Sequence, residues 1–68
     1  MDEDNQQKIR ALLNYLIEHN KEHSQEIAEW AEKAQALGAE QASQQMLKAA
    51  QEMDKVNGFL SQALESLK

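Results

Sequence analysis

The sequence predicts an all-α protein, an antiparallel two-helix hairpin that forms a four-helix bundle by dimerisation. Three observations lead there. Apolar residues recur at seven-residue intervals through both halves of the chain, proline and cysteine are absent, and Gly38 punctuates the pattern near its middle. A sustained seven-residue repeat is the signature of helices packing along a shared seam. The whole chain, residues 1–68, reads as one domain.

The first helix is expected over about residues 5–37. Asp4 followed three residues later by Gln7 resembles a capping box, and Asp2, Glu3 and Asp4 put negative charge where the helix dipole favours it. Leu13, Asn20, Ile27 and Ala34 occupy one core position of the repeat, and Ile9, Leu16, His23, Trp30 and Leu37 the other. Gly38 directly follows this run and suits the left-handed position that closes a helix, so the turn falls at about residues 38–39.

The second helix is expected over about residues 40–67. Ala39, Met46, Met53, Leu60 and Leu67 hold one core position, with Ala42, Ala49, Val56 and Ala63 at the other. So short a connection makes the helices antiparallel neighbours. The turn dipeptide Asn57-Gly58 is the one local signal against continuity. The heptad nevertheless stays in phase through it, and an isolated helical glycine costs only about 1 kcal/mol.

Leu12 and Ile17 beside the first seam, and Phe59 and Leu64 beside the second, widen the apolar stripes beyond what one partner helix covers. The expected interface therefore comprises Leu12, Leu16, Ile17, Ile27, Trp30, Met46, Met53, Phe59, Leu60 and Leu64. A chain this short buries little core on its own, so a homodimer is the natural expectation, with docking on another protein as the alternative.

Composition restricts function. A net charge of -5 with only seven Lys and Arg disfavours a nucleic-acid surface, which depends on clustered cations. The acidic N-terminus lacks the features of a secretory signal, and no segment has the ~20 apolar residues of a membrane span. A cytoplasmic protein is expected.

Two constellations could carry chemistry. His19 and His23 lie four apart, on one helix face at a chelating separation, with Glu22 and Glu26 close by. Such a set suits a divalent transition metal: nickel, cobalt, zinc or copper. His19-Asn20-Lys21-Glu22-His23 also matches the H-x-x-E-H pattern of inverted zinc proteases. Those enzymes need a further acidic ligand, a cleft and a far larger fold, so no enzyme is expected. The competing reading makes Asn20, His23 and Asn57 a polar core layer that fixes register, with Asn20 near Asn57 and His23 near Met53. A buried neutral His23 would in addition make oligomerisation sensitive to pH. Trp30, Tyr15, Met46 and Met53 read as packing residues rather than a ligand site.

The segment from Leu12 to His23, with Trp30-Ala31, Met53 and Asn57, resembles a family of short prokaryotic helical-hairpin domains. Their pattern is an aromatic residue, Leu or Ile, Glu-His-Asn, a second His and then Trp-Ala. Tyr15 stands where that pattern more often has Trp. The resemblance implies no established activity, a loose association with nickel or cobalt handling, and weight on His19, Asn20, His23 and Asn57. The expected function is thus a non-enzymatic interaction or accessory module. Metal binding or delivery is the alternative, and a pH-responsive switch the third.

Overall fold

Helix α1 spans Glu3–Ala36 and α2 spans Glu40–Glu65 in the computed structural model, which describes residues 3–67. The two run antiparallel in a hairpin 53 Å long and 14 by 11 Å in cross-section. A 34-residue helix at 1.5 Å per residue is about 51 Å long, so α1 alone sets the long dimension.

Asp4 lies inside the first turn of α1 rather than capping it. Its charge therefore acts on the dipole as expected, while the capping-box start at Asp4 is not formed. At the other end, Gly38 adopts φ 87°. Its N–H bonds the Gln35 carbonyl at 3.0 Å, and the Ala39 N–H reaches back to Ala34 at 2.9 Å. This pair of bonds is a Schellman closure, which satisfies two carbonyls that the helix end would orphan. Ala39 is the N-cap of α2 and is exposed, so it is not the core residue the heptad assigned. α2 continues through Asn57-Gly58 without a break.

The seam differs from expectation in an orderly way. Leu13, Asn20, Ile27 and Ala34 face α2, and Met46, Met53, Leu60 and Leu67 face α1, all at least partly buried. The other core position lies one residue later in the repeat than expected. It holds Arg10, Ile17, Ser24 and Ala31 on α1, and Ser43, Ala50, Asn57 and Leu64 on α2. Ala31 is completely buried and Ser43 is 3% exposed, whereas Trp30, assigned to the core, is 55% exposed and Leu37 87%. Val56, Ala42, Ala49 and Ala63 are likewise exposed. Near the turn these positions go to the small residues Ser24, Ala31, Ser43 and Ala50, which let the two backbones approach, and serine can return its hydroxyl to a helix carbonyl instead of losing a hydrogen bond.

Candidate functional site

Three cross-helix hydrogen bonds set the register. Asn57 Nδ2 donates to the Ile17 carbonyl at 3.0 Å, Ser24 Oγ to the Ala50 carbonyl at 3.2 Å, and Ser43 Oγ to the Ala31 carbonyl at 2.8 Å. Ile17, Ser24 and Ala31 ascend α1 in steps of seven while Asn57, Ala50 and Ser43 descend α2 in steps of seven. One bond therefore recurs per heptad, with donors from α2, α1 and α2 in turn. Ser24 Oγ also lies 2.9 Å from Asp54 Oδ1. At the open end, Arg10 Nη2 and Gln6 Nε2 donate to the Leu67 carbonyl at 2.6 and 3.2 Å. A cation here faces the negative end of the α2 dipole.

This ladder corrects the expected polar layer. Asn57 bonds the backbone at Ile17, one turn of α1 away from the expected partner Asn20, and its Oδ1 is buried without a hydrogen-bond partner. Asn20 does face the seam, partly buried. His23 does not belong to that layer: its side chain is 46% exposed on the flank of α1. The expected route to pH sensitivity, protonation of a buried neutral imidazole, loses its basis there.

The hairpin has two unlike broad faces. On one, Lys21, Ser24, Gln25 and Ala28 of α1 share an open groove with Leu47, Ala50, Gln51 and Asp54 of α2. Because these flanks meet on one side, the opposite flanks share the other. That second face carries Ile9, Leu16, His23 and Trp30 from α1, Leu37 from the turn after it, and Ala42, Ala49, Val56 and Ala63 from α2, with no Asp, Glu, Lys or Arg at any of these positions. Leu12, at 54% exposure, and Phe59, at 70%, extend it outward. The expected interface residues thus divide. Ile17, Ile27, Met46, Met53, Leu60 and Leu64 line the intrachain seam, Leu16 is partly buried at its edge, and Leu12, Trp30 and Phe59 are open to solvent. Lys33 Nζ rests 4.1 Å above the Trp30 ring, a cation–π contact at the rim of this face.

Along the border of the same face runs an aromatic file. Tyr15 stacks on His19 with centroids 5.4 Å apart and planes 17° apart, and His19 meets His23 edge to face at 4.4 Å. The Nε2 atoms of the two histidines are 3.1 Å apart. Glu26 Oε1 approaches the other nitrogen of His23, Nδ1, at 3.7 Å. Of the four residues expected around a metal, the structure thus brings His19 and His23 together and puts Glu26 behind His23. Glu22 is an exposed residue on the outer surface. Among the described residues no group of three or more His, Cys, Asp or Glu could hold a metal ion.

Sequence reasoning missed Ser24, Ser43, Ala31 and Ala50 as the buried small residues of the seam. The signal was present as seven-residue spacing from Ser24 to Ala31 and from Ser43 through Ala50 to Asn57, in small and polar residues that a hydrophobic count passes over.

Fold and surface together define a small acidic helical hairpin with a polar ladder inside and one uncharged apolar face outside. The chain belongs to a family described as a domain of unknown function, DUF8180, whose model matches residues 9–67. No curated protein and no solved structure matches it. No helix among the described residues is long and apolar enough to cross a membrane.

Proposed function

We propose that this protein is a non-enzymatic assembly module whose apolar face binds a second copy of the same chain, forming a four-helix bundle. The observation that carries the reading is the uncharged strip that leaves Leu12, Trp30, Leu37, Val56 and Phe59 open to water on a chain this small. Among the described residues, only Leu13, Ala31 and Ala50 are buried apolar residues. Two helices of this composition cannot shelter a sizeable core alone, and domains below about 70–80 residues commonly gain one by association.

A second copy is the occupant that fits best because the face complements itself. Its α1 edge is bulky, with Leu16, Trp30 and Leu37, while its α2 edge is lined by Ala42, Ala49 and Ala63. A two-fold axis between copies lays the bulky edge of each over the alanine edge of the other, which is the self-complementary contact of an isologous dimer. The hairpin is 53 by 14 Å, so a contact over a whole broad side is on the order of 700 Å², close to the ~800 Å² per partner of a stable interface.

Charge substitution tests the reading. Val56→Lys, on the apolar face, should reduce the mass measured by light scattering after gel filtration to that of one chain, while Gln51→Lys, on the polar face, should leave it unchanged. Equal behaviour of the two variants would refute it. A wild-type chain that is monomeric on its own would instead direct the same face to a different protein.

A further inference from the structure

We propose that His19 and His23 form a two-nitrogen chelate for a divalent transition metal ion through their ε nitrogens, with Glu26 acting behind His23 rather than as a ligand. Both imidazoles belong to one helix and the pair is complete within one chain; because His23 also lies on the face proposed for self-association, the titration is read on Val56→Lys as well as on the wild-type chain.

Geometry selects the donor atoms. A metal bonded to two imidazoles at the usual 2.0–2.1 Å holds the nitrogens about 3.3 Å apart at a tetrahedral angle and about 2.9 Å apart at a right angle. The observed Nε2 to Nε2 separation of 3.1 Å lies between these values. Side-chain rotation alone therefore aims both lone pairs at one ion, with no change in the backbone of α1. Both rings are reachable from solvent, His23 with 46% of its side chain exposed.

The neighbours fix the orientation. Glu26 Oε1 lies 3.7 Å from Nδ1 of His23, on the side of the ring away from His19. A carboxylate there, beyond hydrogen-bond distance, favours by its charge the proton on Nδ1 and leaves Nε2 free to bind, a looser form of the arrangement by which carboxylates orient ligating histidines. Tyr15, stacked on His19, restrains the second ring from its other side. With no ion bound, the 3.1 Å contact is a hydrogen bond in which one Nε2 carries a proton. On binding, that proton moves to the Nδ1 of the same ring or to water, and the metal takes its place.

The ligand class follows from the donors. Neutral imidazole suits zinc, copper(II), nickel and cobalt, with copper(II) bound tightest by the general affinity order, and offers little to magnesium or calcium. Two protein donors leave the remaining positions to water, so the bound ion stays open to a further ligand.

The test is calorimetric titration of the full chain with zinc chloride, copper chloride and magnesium chloride, beside imidazole NMR shifts and far-UV circular dichroism. Zinc and copper should bind, magnesium should not, and the resonances of both histidines should move together. His19→Ala and His23→Ala should each weaken binding at least tenfold while the helical spectrum persists, since both side chains are exposed. Glu22→Gln should leave affinity unchanged, and Glu26→Gln should lower it by about tenfold or less, below the ~10–100-fold typical of a hydrogen-bonded orienting partner, because its carboxylate stands 3.7 Å from the ring. Zinc and copper binding that survives either histidine variant would overturn the proposal. So would a Glu22→Gln loss as large as that of a histidine variant, or no zinc and copper binding by the helical wild-type chain.

Discussion

Ser43 donates its hydroxyl to the carbonyl of Ala31 at 2.8 Å, across the point where Ala31 is completely buried. The bond depends on two small residues facing each other: a larger side chain at either position would hold the backbones too far apart for a hydroxyl to reach. Close approach, rather than apolar bulk, is thus what organises the inner seam.

Overfilling that point should be harmful. Ala31→Leu is expected to lower stability by about 1–3 kcal/mol, because inserted methylenes force backbone shifts in a packed seam. Ala11→Leu, on the exposed surface of α1, should fall within about 0.5 kcal/mol of wild type. Urea unfolding followed by circular dichroism, at one fixed protein concentration, measures both.

The ladder bonds should act independently. Ser24→Ala and Ser43→Ala are each expected to cost about 0.5–1.5 kcal/mol, the usual net worth of an intramolecular hydrogen bond. Ser24 and Ser43 serve successive heptad layers, about 10 Å apart along the helix, so the double variant should show the sum within about 0.5 kcal/mol. A large coupling between them in a double-mutant cycle would instead make the ladder one cooperative unit.

The start of α2 can be improved. Ala39 caps that helix with no side-chain bond to the free N–H groups that follow. Ala39→Asp supplies an acceptor and a negative charge at the positive end of the dipole. It should raise stability by about 0.5–2 kcal/mol in the same unfolding measurement.

Much of the fold was legible in the sequence. Gly38 identified the turn, and the spacing from Leu13 to Ala34 and from Met46 to Leu67 identified one core position on each helix. The other core position was not legible from hydrophobicity. Trp30 and Val56 outrank Ala31 and Asn57 on any apolar scale, yet the buried positions went to residues that permit close packing or bond a carbonyl. The apolar flank then becomes informative in its own right: Ile9, Leu16, Trp30 and Leu37 share one heptad register, yet Trp30 and Leu37 stay exposed in the single chain. The histidine spacing was visible too. Which nitrogens meet, and that Glu26 stands behind His23, depend on rotamers, which spacing does not specify.

Self-association through the apolar face is tested most directly by sedimentation equilibrium of the wild-type chain over a wide concentration range. A self-associating chain reaches a mass approaching twice the 7.7 kDa of one chain as concentration rises. A mass that stays at one chain throughout, with helical structure intact, would contradict it.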